Sequence, residues 1–199
     1  MNGIIFFNGW GMDEKIVSHL KIPQNFEFVC INFPYRLDTG ILQKYKSLYF
    51  IGWSFGVFYM ADFISKNYKF LKDKINYTAV INGIPYLMQK NILDKRVIVL
   101  TYKNLNRKNL EFFYLKSGIK NYFTDKSIDE LKTELKYFTE VCCPVKINID
   151  RVFISSNDMI VKTEIQKKYY EENKIPFTIM EGKHCIFDKI DEWRYFLGR

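Results

Sequence analysis

Residues 49–64 read YFIGWSFGVFYMADFI, and within them Gly52-Trp53-Ser54-Phe55-Gly56 has the form G-x-S-x-G. The apolar run Leu48-Tyr49-Phe50-Ile51 stops at the first glycine, and an apolar pattern of helical spacing follows the second. A strand that turns into a helix this abruptly holds its central serine in a strained backbone with the hydroxyl exposed. The glycines remove side chains that would collide with the neighbouring strand and helix. The new helix's N-terminus and the Phe55 N–H then lie where negative charge would develop on a carbonyl attacked by Ser54. The bare pattern recurs by chance; the strand before it and the helix after it make this instance specific.

The rest of the chain alternates strand-like and helix-like stretches. Residues 3–8 (GIIFFN), 26–33 (FEFVCINF), 47–52, 77–82 (YTAVIN), 151–155 (RVFIS) and 176–180 (PFTIM) read as strands. Residues 13–20 are expected to form a short helix starting near Asp13, residues 55–66 a longer one, and about 188–197 a closing helix. Residues 96–101 (RVIVLT) are apolar enough for a further strand or belong to an inserted segment. Residues 107–122 and 127–141 read as helices. The expected architecture is α/β: one domain over 1–199, a mostly parallel sheet with helices on both faces, and a small helical cap inserted at about 87–148.

Composition narrows the function classes. Of 199 residues 48% are hydrophobic and 18% aromatic, enough for a buried core and against disorder. No apolar run approaches the roughly 20 residues that span a bilayer, and Met1-Asn2-Gly3-Ile4-Ile5 reads as a first strand, not a leader. Cys30, Cys142, Cys143 and Cys185 lack metal-site spacing and are joined by only two histidines, so no metal or cofactor is expected. Reduced thiols suit a cytoplasmic protein. The net charge of +8 is spread along the chain. It suits a solvated surface or attraction to an acidic partner; no nucleic-acid-binding module accompanies it.

A serine hydroxyl needs a base. His19 falls within the first expected helix, away from any strand end. His184, in FTIMEGKHCIFD, follows the last strand, at the sheet end where reactive groups gather. An acid is needed in turn to hold the imidazole in its tautomer. Asp158, in RVFISSNDMIVK, follows the strand at 151–155, although Ser-Asn-Asp is also ordinary turn chemistry. Asp150 precedes that strand, and Asp188 is expected to cap the last helix. The order Ser54, Asp158, His184 is that of the α/β-hydrolases. The loop Asn8-Gly9-Trp10-Gly11-Met12-Asp13 then supplies a second oxyanion donor, the Trp10 N–H, to pair with that of Phe55.

FFNGWGMDE followed by GWSFG, in a short chain that starts almost directly on the strand before the oxyanion loop, resembles the pimeloyl-acyl carrier protein methyl ester esterases of the BioG type. The resemblance covers nearly the whole chain and is most specific at Asn8–Glu14 and Gly52–Gly56. It implies hydrolysis of the methyl ester of pimeloyl-acyl carrier protein in biotin synthesis. Ser54 would be the nucleophile, His184 the base and then acid, and Asp158 its orienter. Asn8 stands where many hydrolases have histidine, which agrees with the BioG-type loop. An acidic carrier gives the +8 charge a use. Within the expected cap, Lys103, Arg107, Lys108, Lys116 or Lys120 would meet the carrier, with Arg107 and Lys108 the pair to test, or would serve solvation alone. Phe112, Phe113 and Tyr114 would line the acyl path with Trp10, or simply pack the cap. A monomer is expected. The rival readings are another carboxylesterase or thioesterase of this fold acting on a small acyl substrate, a catalytically silent binding protein, and a basic nucleic-acid binder.

Overall fold

The computed structural model describes residues 1–85, 95–140 and 147–198. Six strands form one sheet in the order β2-β1-β3-β4-β5-β6. They are β1 (Asn2–Phe7), β2 (Phe26–Ile31), β3 (Ser47–Trp53), β4 (Ile75–Ile81), β5 (Arg151–Ser155) and β6 (Phe177–Met180). Every adjacent pair is parallel. The helices are α1 (Phe55–Lys66), α2 (Tyr68–Leu71), α3 (Lys95–Asn104), α4 (Arg107–Ser117), α5 (Ile128–Glu140) and α6 (Thr163–Glu172). β1, β5 and the carboxyl-terminal four residues of β3 and β4 run through buried positions, as parallel strands do when both faces are covered.

The sheet's carboxyl edge is set by close approaches. A Cβ placed on Gly56 would lie 2.0 Å from the Phe7 carbonyl oxygen, and one on Gly52 would lie 2.7 Å from Val57 Cα. The start of α1 is therefore pressed onto the ends of β1 and β3, and only glycine fits there. Ser54, between them, takes φ 56° and ψ −124°.

Three local expectations differ from the structure. Residues 96–101 belong to α3, not to a strand. Ile98 is buried while Val97, Val99 and Leu100 are exposed, and α3 packs on α5. Packing overrides the β preference of this branched run. The helix expected over 13–20 is a single 3₁₀ turn, Glu14–Ile16, with Asp13 accepting from Lys15 N–H. The closing helix is two short 3₁₀ turns, Phe187–Lys189 and Trp193–Phe196. Here the backbone instead bonds across to Lys21, with Lys21 N–H donating to the Asp191 carbonyl and Trp193 N–H to that of Lys21. Trp193 meanwhile packs against Phe6 and Phe28, with ring centroids at 5.0 and 4.7 Å. Asp188 lies inside the first of these turns and does not cap a helix. The ends of the insertion expected at 87–148, with Cys142 and Cys143, lie largely outside the described residues.

Candidate active site

Ser54, His184 and Asp158 come from the ends of three strands and meet. The Ser54 hydroxyl and His184 Nε2 are 2.8 Å apart, and His184 Nδ1 and Asp158 Oδ2 are 2.8 Å apart. Ser54 is 4% exposed and His184 1%. Ser54 N–H donates to the Ile81 carbonyl at 3.0 Å, fastening the turn to β4. Asp158 is ligated on both oxygens: Oδ1 accepts from Ile160 N–H at 2.8 Å and Val161 N–H at 3.0 Å, while Oδ2 also accepts from Gln166 Nε2 at 3.0 Å. A buried carboxylate held by this many donors keeps its orientation.

The residues set aside earlier have structural partners. Asp150, directly before β5, accepts from Thr78 N–H at 2.8 Å midway along β4, and not at the carboxyl edge that carries Ser54. His19 Nε2 lies 2.8 Å from the Phe187 carbonyl and takes no part in the contacts that link Ser54, His184 and Asp158.

Four further residues complete the site. Asn82, in a left-handed conformation at the end of β4 (φ 45°), donates from Nδ2 to the His184 carbonyl at 2.7 Å. It also exchanges bonds with Ser155 through both ends of its amide. Trp53 donates its indole N–H to the same His184 carbonyl at 3.1 Å. Gln166 orients Asp158 from α6. Glu134, on α5, reaches the loop after β1. Asn82 had a sequence signal, a polar residue directly after an apolar strand and before Gly83. Glu134 had a weaker one, a carboxylate on the buried stripe between Leu131 and Leu135. Gln166 had none.

The loop after β1 lies beside the serine turn; a Cβ on Gly9 would sit 3.3 Å from Ser54 Cβ. Asn8 is fully buried and is a structural knot: its amide donates to the Asp13 carbonyl at 2.8 Å and Asn32 Oδ1 at 2.9 Å, and accepts from Gly9 N–H at 2.9 Å. Trp10 and Phe55 together form one wall of a cavity of about 470 Å³. Its other walls come from α3, α4, Leu135 and residues 159–161, and are mostly apolar. Phe112, 59% exposed, lines it as well. Arg107 and Lys108 stand at the exposed start of α4, outside this lining, with the Arg107 guanidinium donating to the Lys126 carbonyl at 3.0 Å.

Burial raises the Glu134 carboxyl above the ordinary range, against the opposing pull of Lys126 and of the donors Gly11 N–H and Tyr35 Oη. Burial likewise raises the Cys30 and Cys185 thiols to about 12.

A parallel sheet with a serine on a strained strand-to-helix turn, a histidine and an aspartate at successive strand ends, defines an α/β-hydrolase. The solved BioG of Haemophilus influenzae superposes with a TM-score of 0.81 at 20% identity, over 99% of this chain and 95% of that one. The RedJ thioesterase of Streptomyces coelicolor superposes with a TM-score of 0.61 at 11% identity, over 92% and 80%. At these identities the likeness concerns the fold. The family described as pimeloyl-ACP methyl esterase BioG matches residues 1–196, and the chain belongs to that family of carboxylic ester hydrolases. A malonyl-[acyl-carrier protein] O-methyltransferase of Bacteroides fragilis (strain 638R) is 25% identical over 197 residues, 91% of this chain; the chain spans 39% of that relative's length. Among the described residues no helix is long and apolar enough to cross a membrane.

Proposed function

We propose that the protein hydrolyses the methyl ester of pimeloyl-acyl carrier protein, a step of biotin synthesis, by two acyl transfers at Ser54. His184 Nε2 accepts the hydroxyl proton as Ser54 Oγ attacks the ester carbonyl. The C–O bond to the methoxy group breaks, and His184 returns the proton so that methanol leaves. Water, deprotonated by the same imidazole, then cleaves the acyl-enzyme and frees the carboxylate. Asp158 keeps Nδ1 protonated and stabilises the imidazolium. The Trp10 and Phe55 amides stabilise the oxyanion.

The observation that carries this reading is the pair of 2.8 Å contacts linking Ser54, His184 and Asp158 on a backbone held at φ 56°. Family membership supports the substrate. So does the apolar cavity beside Trp10 and Phe55, which suits a short methylene chain. The relative named as an O-methyltransferase for a carrier-bound acyl group adds support, since a methyl ester on such a carrier is what this site would remove. The segment carrying α3, α4 and α5 acts as a cap, and the +8 charge steers an acidic carrier toward it. The protein works as a cytoplasmic monomer without a cofactor. The neighbouring thioesterase fold keeps a second reading in play, hydrolysis of another small acyl ester or thioester.

The test is incubation of the protein and of Ser54→Ala with pimeloyl-carrier methyl ester, followed by mass analysis of the carrier. Loss of one methyl increment with the unaltered protein only is expected. An unchanged carrier, with Ser54 still labelled by a fluorophosphonate, would retain a serine hydrolase and remove the biotin assignment.

A further inference from the structure

The loop that carries Trp10 is held largely by the helical segment and not by the sheet. Gly11 N–H donates to Glu134 Oε2 at 3.3 Å, and the Gly11 carbonyl accepts from Tyr114 Oη at 3.0 Å. The Trp10 indole donates to the Leu131 carbonyl at 3.0 Å, and Asp13 N–H donates to Tyr122 Oη at 2.9 Å. From the sheet side, Tyr35 Oη lies 3.0 Å from the Asn8 carbonyl and 3.1 Å from Glu134 Oε1.

Glu134 is the charged member of this set and is 1% exposed. Burying a carboxylate is unfavourable, and an apolar residue on the same stripe would pack without that penalty. Yet both oxygens are occupied, Oε2 by Gly11 N–H and by Lys126 Nζ at 3.1 Å, Oε1 by Tyr35. The carboxylate holds Gly11 directly, while the single Tyr35 hydroxyl proton faces both Glu134 Oε1 and the Asn8 carbonyl. Gly11 sits at φ 71°, where glycine is conformationally permissive, and the peptides on both sides of it are tied.

We propose that Glu134 is a positioning residue for ester hydrolysis, clamping the Trp10–Gly11 peptide through Gly11 N–H so that the Trp10 amide points at the oxyanion. Tyr114 is the second jaw of the clamp, holding the next peptide, Gly11–Met12, by its carbonyl. The oxyanion hole is then assembled jointly by β1 and by the α4–α5 segment, and movement of that segment changes transition-state stabilisation and not only access. This inference rests on the reading of the Trp10 and Phe55 amides as oxyanion donors.

The experiment is steady-state hydrolysis of a small p-nitrophenyl ester by the protein and its Glu134→Ala, Glu134→Gln and Tyr114→Phe variants, with thermal unfolding recorded for each. Glu134→Ala is expected to lower kcat roughly 10- to 100-fold, below or near the effect of deleting an oxyanion donor outright, with KM changed less than about threefold. Glu134→Gln, which keeps an acceptor for Gly11 N–H, is expected to recover most of kcat. Tyr114→Phe, which removes one hydroxyl, is expected to lower kcat several-fold and to decide the matter if Glu134→Ala does not fold. A folded Glu134→Ala, or a Tyr114→Phe, with kcat within twofold of the parent overturns the clamp. A parent protein that neither turns over the ester nor accepts a fluorophosphonate on Ser54 overturns the hydrolase reading beneath it, and the two failures are thereby told apart.

Discussion

Asn82 Nδ2 donates to the main-chain carbonyl of His184 at 2.7 Å, across 102 residues of sequence. The amide also donates to Ser155 Oγ at 2.6 Å and accepts from Ser155 N–H at 2.7 Å. One side chain therefore ties the end of β4 to the end of β5 and to the histidine loop. Its positive φ is a conformation that Asn tolerates better than most residues. Asn82→Ala takes its partner from the buried Ser155 N–H and leaves the His184 carbonyl to Trp53 alone, and a stability loss of about 2–4 kcal/mol is expected. Turnover should fall more than tenfold as the His184 loop loosens. Urea unfolding alongside ester hydrolysis measures both.

Gly56 faces the ends of β1 with no room for a methyl group; the nearest atom to a Cβ there is a backbone oxygen at 2.0 Å. Because backbone cannot yield as a flexible side chain does, Gly56→Ala is expected to destabilise by at least about 3 kcal/mol. Its soluble yield and melting temperature should drop sharply, and a melting temperature equal to the parent's would show that α1 can slide away from β1.

Gln166 is fully buried on α6 and shares Asp158 Oδ2 with His184. Its removal leaves Asp158 oriented by the Ile160 and Val161 amides alone. For Gln166→Ala we expect kcat lowered about tenfold with KM little changed, as for other losses of an orienting contact. Steady-state kinetics on a small ester checks this; unaltered kcat would mean that the two amides suffice.

Cys30 and Cys185 have thiols raised by burial to about 12. Since the thiolate is the nucleophile, only about one molecule in ten thousand is reactive at either site at pH 8, and reactivity rises with pH. Peptide mapping after iodoacetamide treatment of the folded protein at pH 8 should show both unmodified, and treatment in urea should modify both.

If the carrier docks on the cap as proposed, Arg107 and Lys108, exposed at the start of α4 and outside the cavity lining, are the residues to test. Charge reversal of both should raise KM for the carrier-linked ester several-fold, and more at low salt, while leaving a small ester unaffected. Equal KM values for the carrier substrate would assign these residues to solvation.

The parts of the site legible in the sequence are those governed by local rules. The apolar runs of β1, β3, β4 and β5 mark buried strands whatever they pack against. Gly52 and Gly56 around Ser54 declare a tight strand-to-helix turn through steric exclusion alone. His184 and Asp158 are found by asking which polar residues follow strands, because a parallel sheet gathers its strand ends on one edge. The structure brings these three side chains within hydrogen-bonding distance of one another.

Where local preference and packing disagree, the sequence misleads. Val97, Ile98 and Val99 favour a strand, yet residues 95–104 are helical because one face of α3 packs on α5. Residues 188–197 have helical spacing, but pairing with Lys21 and the seating of Trp193 on Phe6 and Phe28 hold the backbone in short turns.

By itself, then, the sequence determined the order of the strands, the serine turn and which polar residues stand at strand ends, since these follow from periodicity and from what glycine alone permits. Only the tertiary structure decided how Asn82, Gln166, Glu134, Tyr35 and Tyr114 support them. Each acts through a contact with a distant part of the chain, and nothing in a residue's own neighbourhood says which distant groups it will face.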